Sequence, residues 1–127
     1  MPKALLPVRM TVTEDAILAY AEITGDWNPI HVDDAFAAAS PMKGRIAHGT
    51  LSANLLWQSI VATFGEEVRC RLTLDIRFVR PVRIGDVVEA GGTPASGEAR
   101  WDVWVRNGAG ENVIVGTIEV GPVGAGS

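Results

Sequence analysis

The sequence predicts an α+β fold in which an antiparallel sheet wraps around one long, buried helix. Two patterns indicate this fold. Residues 47–64 are apolar on nearly every side, which is typical of a buried helix, and such a helix would be about 27 Å long. The chain after it alternates apolar and polar residues between turn residues, as half-buried antiparallel strands do. A sheet with one apolar face can cover the helix.

The chain before the long helix predicts three short elements. Thr13 is a favourable N-cap, and Gly25 is suited to a left-handed C-cap, so a helix is expected between them. The Ser40-Pro41 pair ends a further one or two helical turns. The predicted elements are a strand at 8–12, a helix at 14–23 and a short helix at 33–39.

The chain after the long helix predicts four strands. In the first, Cys70 lies on the apolar side of the alternation, so we expect a buried, inert thiol. The Asn107-Gly108 pair predicts a hairpin turn between the last two strands. The predicted strands cover residues 69–79, 84–90, 100–106 and 112–120, with a loop at 91–97.

Composition limits the classes of protein to consider. A length of 127 residues fits one domain, spanning 1–127. The net charge of −4 argues against a nucleic-acid partner. No apolar run is long enough to suggest a membrane span or a signal peptide. The single cysteine excludes an internal disulfide and a cysteine-based zinc cluster, so we predict no metal and expect a cytoplasmic protein.

The most informative stretch is residues 25–49, which holds both histidines, His31 and His48. Gly-Asp at 25–26 and Asn-Pro at 28–29 are typical of turns, which predicts a bent loop there. A bent loop can make Asp26 and His31 face one point in space, whereas a straight helix would separate residues five apart.

This stretch resembles a known family. GDWNPIHVDD followed by IAHG and an apolar helix is similar to the hydratase-2 motif of MaoC-like (R)-specific enoyl-CoA hydratases, which have the hot-dog fold. The match is close over residues 25–49 and continues loosely, through RFVRPVRIGDVV, to residue 88. The resemblance implies that Asp26 and His31 are catalytic and hold a water, and that Gly49 and Asn28 contribute to oxyanion or substrate binding. His48 is expected to position the turn.

The resemblance also implies a function. The expected reaction is (R)-specific hydration of a trans-2-enoyl-CoA, or the reverse dehydration of a 3-hydroxyacyl thioester, catalysed by a hydro-lyase without a cofactor. The carrier, coenzyme A or acyl carrier protein, stays open, as does the choice of Asp26 or His31 as base. A homodimer is expected, because an open sheet leaves an unpaired edge strand.

Two alternatives and one departure from the family pattern remain. The alternatives are a hot-dog acyl-CoA thioesterase and a non-catalytic acyl-binding or heterodimer-partner subunit. Trp57 stands where some family members carry a hydroxyl near the substrate, which predicts a preference for short acyl groups. The candidates for contacts with coenzyme A phosphates are Lys43, Arg45, Arg69, Arg71, Arg77 and Arg83.

Overall fold

The computed structural model describes residues 3–96 and 99–122, and confirms the predicted α+β architecture. The strands are β1 (Val8–Thr11), β2 (Leu72–Phe78), β3 (Val87–Pro94), β4 (Arg100–Asn107) and β5 (Asn112–Val120). The helices are α1 (Glu14–Thr24), α2 (Pro29–Val32), α3 (Asp34–Ala39) and α4 (Gly49–Phe64), and a 3₁₀ turn (Glu66–Cys70) follows α4. Among the described residues, every helix is too short or too polar to span a bilayer.

The strands form one antiparallel sheet in the order β1-β3-β4-β5-β2. The β4–β5 hairpin turns where the sequence predicts it, and the Asn107 side chain accepts hydrogen bonds there from the N–H groups of Ala109 and Glu111. β1 and β2 are the two edges of the sheet. Each edge strand therefore has one side without a partner strand in the described chain.

Helix α4 packs its apolar side against the sheet and fills the core. Leu55, Leu56 and Ile60 are almost fully buried, whereas Asn54 and Gln58 are exposed. Two buried hydroxyls on the helix are also satisfied. Ser59 Oγ donates to the Leu6 carbonyl oxygen at 2.6 Å, and Thr63 Oγ1 accepts from the Leu6 N–H at 2.8 Å. These bonds tie the N-terminal segment to the long helix.

The two ends of α1 form as their residues predict. Thr13 Oγ1 accepts a hydrogen bond from the Ala16 N–H at 3.1 Å, as an N-cap should. Gly25 has a φ of +73° and its N–H donates to the Ala21 carbonyl. This left-handed residue turns the chain directly into the loop that carries Asp26.

Three predicted boundaries are wrong. Residues 69–70 belong to the 3₁₀ turn rather than to a strand, and Cys70 is exposed. β3 begins at Val87 and runs through Gly91 and Gly92, which the sequence places in a loop. Glycine is required at position 92 because a Cβ there would lie 2.8 Å from the Asp102 carbonyl oxygen. Gly97, the end of that predicted loop, lies outside the described residues.

Gly116 provides a test of the sheet, because the β2 backbone passes directly over it. A Cβ at Gly116 would overlap the Asp75 carbonyl oxygen and lie 2.8 Å from the Ile76 Cα. We expect Gly116→Ala to lower the free energy of unfolding by about 2 kcal/mol or more, because backbone atoms cannot yield without breaking the β2–β5 pairing. Urea denaturation measures this change.

The matched control is Gly108→Ala. Gly108 lies in the hairpin turn, and a Cβ there would meet no atom within 4 Å. Its substitution should change the unfolding free energy by less than about 0.5 kcal/mol. Equal effects of the two substitutions would contradict the described β2–β5 register.

Candidate active site

The loop after α1 brings Asp26 and His31 face to face, at a distance of 3.9 Å between Asp26 Oδ2 and His31 Nε2. The Asn28 N–H donates to Asp26 Oδ1 at 3.2 Å, and Asn28 Oδ1 accepts from the Ile30 N–H at the start of α2. Asn28 therefore orients the carboxylate and caps the helix that carries His31. This short helix begins with Asn28 as its N-cap and Pro29 as its first residue, where the sequence predicts only a loop.

One hydrogen bond decides the tautomer of His31. Its Nδ1 lies 2.8 Å from the carbonyl oxygen of Ile46. A carbonyl oxygen only accepts, so Nδ1 carries the proton, and in the neutral ring Nε2 has the free lone pair. That lone pair is the one that faces Asp26. The distance of 3.9 Å is too long for a direct hydrogen bond but can be bridged by a water that contacts both atoms.

The two side chains differ in burial. The His31 side chain is 11% exposed, whereas that of Asp26 is 51% exposed. The imidazole is thus held by protein, while the carboxylate is open to solvent from which a water can be supplied.

His48 contacts both members of this pair. Its Nε2 lies 2.9 Å from the Asp26 main-chain oxygen and therefore donates to it, and its ring stacks on that of His31 with centroids 3.9 Å apart. The Tyr20 ring meets His48 edge-on, at 5.1 Å between centroids. His48 is 2% exposed and immediately precedes α4. The geometry supports the expectation that His48 positions the turn.

Gly49 is the first residue of α4. The first N–H groups of a helix have no acceptor within it, and the helix dipole favours negative charge there. A Cβ at Gly49 would lie 3.1 Å from the Phe78 ring. A larger residue would therefore push against Phe78, and glycine keeps this N–H approachable.

A cavity of about 340 Å³ begins beside Gly49. Its wall includes His48, Gly49 and Ser52 on one side and the end of β2, with Phe78, on the other. Within the described chain, neither Asp26 nor His31 is part of this wall. His48 lies between the Asp26–His31 pair and the cavity, because it lines the cavity and also stacks on His31.

A second possible role for Asp26, His31 and His48 is to bind a metal ion. Asp26, His31 and His48 each offer a ligand atom within 4.8 Å of the others. A metal must lie in the plane of each imidazole, about 2.0–2.1 Å from its nitrogen. The two rings are stacked at an interplanar angle of 25°, so their lone pairs run side by side rather than converge. The geometry therefore disfavours a metal.

Arg45 stabilises the segment that carries His31. Its side chain is 5% exposed, its Nε donates to the His31 carbonyl oxygen at 2.7 Å, and its Nη1 lies 2.7 Å from Glu14 Oε1 and 3.6 Å from Asp34 Oδ1. The hydrogen bond to Glu14 is the main reason that the pKa of Arg45 is raised. Arg45 thus connects α1, α2 and α3. The prediction that it meets coenzyme A phosphates is wrong, because it is buried and paired.

The other candidate cations differ in whether they form a salt bridge within the described residues. Arg71 lies 2.6 Å from Glu67, whose pKa it lowers, and Arg69 lies 3.6 Å from Glu66. Lys43, Arg77 and Arg83 are exposed. These last three stay candidates for phosphate contacts.

The acyl side of the site differs from expectation. Trp57 is half-buried against the hydrophobic core. It is not among the described residues that line the cavity. The structure therefore does not support the prediction that Trp57 shortens the acyl pocket. Ser52 lines the cavity instead, and its spacing of three residues from Gly49 was the available signal.

This geometry can be compared with known proteins. The family model of the MaoC like domain matches residues 3–113. The chain belongs to the MaoC-like domain family. The resemblance inferred from the motif at residues 25–49 is thus confirmed.

Characterised relatives in this family are hydratases and dehydratases. A 3-hydroxybutyryl-CoA dehydratase of Methylorubrum extorquens is 37% identical over 82 residues, which cover 65% of this chain and 52% of that protein. An (R)-specific enoyl-CoA hydratase of Rhodospirillum rubrum is 35% identical over 80 residues, 63% of this chain and 56% of that protein. The chain therefore spans about half the length of the curated relatives it matches.

A solved structure extends the likeness over nearly the whole MaoC-like chain. The R-hydratase PhaJ1 of Pseudomonas aeruginosa superposes with a TM-score of 0.77 at 28% identity, covering 95% of this chain and 82% of that one. The predicted hot-dog fold is confirmed by this match and by the sheet that covers α4.

Proposed function

We propose that the protein is an (R)-specific hydratase of trans-2-enoyl thioesters, which also dehydrates 3-hydroxyacyl thioesters in reverse. The observation that supports this proposal most strongly is that the free lone pair of His31 faces the Asp26 carboxylate at 3.9 Å. His48, which stacks on His31, directly precedes Gly49 at the start of α4. The hydratase and dehydratase names of the relatives support the same reaction. We propose that no cofactor is needed, since water and the thioester are the only reactants.

The roles of the side chains follow from the tautomer. His31 Nε2 accepts a proton from a water that Asp26 orients, and the oxygen of that water adds to C3 of the enoyl group. The proton then reaches C2 through the Asp26–His31 pair, so that the water is added whole across the double bond. The negative charge that develops on the thioester oxygen is stabilised by the Gly49 N–H and the α4 dipole. The main-chain N–H of Asn28 holds the Asp26 carboxylate in place.

The two alternatives can be separated in one assay. A hydratase removes the enoyl absorbance of crotonyl-CoA without releasing a free thiol, whereas a thioesterase releases the thiol from an acyl-CoA. A non-catalytic subunit does neither. The presence of both Asp26 and His31 makes the non-catalytic role the weaker proposal.

The pair assignment predicts the effect of two isosteric substitutions. Asp26→Asn and His31→Gln should each reduce the rate of crotonyl-CoA hydration by about 10²–10⁴-fold, because each removes a proton acceptor while keeping side-chain size. Initial rates of absorbance loss measure this effect, and circular dichroism checks the fold.

The control is Asp15→Asn, an exposed carboxylate in the first turn of α1. It should retain the rate of the unaltered protein. Rates for Asp26→Asn and His31→Gln within about threefold of that control would contradict the assignment.

We also propose a cytoplasmic homodimer. β2 presents a seven-residue edge that ends in Phe78, which is 55% exposed, and long exposed edges favour pairing with another strand. Light scattering should then give twice the chain mass of 13.5 kDa. A mass of one chain at micromolar concentration would contradict the dimer. The exposed Cys70 thiol fits a reducing compartment.

A further inference from the structure

Among the described residues, the wall of the cavity beside Gly49 is apolar except at three side chains, His48, Ser52 and Arg80. The Nε2–H of His48 is engaged with the Asp26 carbonyl, and its Nδ1, which has no partner among the described residues, is sealed within the protein and not accessible to a ligand. Arg80 is partly exposed; it donates to the Asn112 carbonyl oxygen and lies 3.5 Å from Glu111. Ser52 is therefore the polar side chain of the wall that remains available to a ligand.

The Ser52 hydroxyl is buried yet lacks a partner. The residue is 3% exposed, and within residues 3–96 and 99–122 its hydroxyl makes no hydrogen bond. By contrast, the other buried hydroxyls of α4, on Ser59 and Thr63, both have partners. The Ser52 oxygen is not sealed within the protein. Because Ser52 is part of the cavity wall, we infer that this oxygen faces the cavity.

The position of Ser52 relative to Gly49 suggests what it meets. Residues three apart lie on the same side of a helix, and Ser52 is about 4.5 Å further along the axis of α4. If the thioester oxygen binds the Gly49 N–H, the enoyl chain extends from that point into the cavity. Carbons C4 and C5 are the part of the chain that reaches the depth of Ser52.

We propose that Ser52 binds a hydroxyl group on C4 or C5 of the enoyl chain, so that the substrates are short enoyl thioesters that carry this oxygen function. This inference rests on the proposed hydratase function. A purely hydrocarbon chain would cover the Ser52 hydroxyl without giving it a hydrogen-bond partner, and sites that offer a buried hydrogen bond discriminate against such analogues.

Two pairs of substrates test the proposal because each pair exchanges a hydroxyl for a methyl group of similar size. The first pair is 4-hydroxy-trans-2-butenoyl-CoA and trans-2-pentenoyl-CoA, and the second is 5-hydroxy-trans-2-pentenoyl-CoA and trans-2-hexenoyl-CoA. For each pair, kcat/KM of the hydroxylated substrate is divided by that of its methyl counterpart. Comparing this ratio between variants removes the intrinsic reactivity of the substrates.

In at least one pair, the ratio should be about tenfold higher for the unaltered protein than for Ser52→Ala, the effect of one hydrogen bond. Ser59→Ala is the matched control, since it removes a buried hydroxyl of the same helix that lies outside the cavity. It should leave the ratio unchanged.

Equal ratios for the unaltered protein and Ser52→Ala in both pairs, with hydration still observed, would overturn this inference and leave the proposed function intact. No hydration of any of the four substrates or of crotonyl-CoA would overturn the proposed function and the inference together.

Discussion

The hydrogen bond between His31 Nδ1–H and the Ile46 carbonyl oxygen is the interaction on which the proposed chemistry depends. It fixes which nitrogen carries the proton and so directs the basic lone pair of the ring toward Asp26. The acceptor itself is held, because the Ile46 N–H donates to the Ile30 carbonyl. Arg45 binds the His31 carbonyl from the other side. The tautomer is therefore a property of the fold rather than of a freely rotating side chain.

The same fold places the two halves of the site on either side of His48. On one side are Asp26 and His31, and on the other is the apolar cavity that starts at Gly49. His48 spans this division because one nitrogen holds the Asp26 backbone while its ring supports His31. The site thus combines a polar, solvent-open pair of side chains with a mostly apolar cavity, the combination that the proposed addition of water to an enoyl thioester needs.

Local chemistry in the sequence accounts for much of this arrangement. Turn residues and a left-handed glycine predicted that Asp26 and His31 would meet, and the apolar pattern predicted the long helix. Arg45 could not be placed, because its burial results from three elements that converge only in the folded chain. Gly92 was read as a loop residue, although close packing against β4 is what requires it. Ser52 lies near the position of the family's hydroxyl but not at the same offset, so it was not selected, and its exposure to the cavity depends on how α4 is rotated against the sheet.

The most direct test of the account is the protonation pattern of the two histidines. Long-range ¹H–¹⁵N correlation spectra report it, recorded at a pH where both rings are neutral and assigned with a His48→Gln variant. The account predicts opposite tautomers, with the proton on Nδ1 of His31 and on Nε2 of His48. A His31 ring that carries its proton on Nε2 would contradict the account, since no lone pair would then face Asp26.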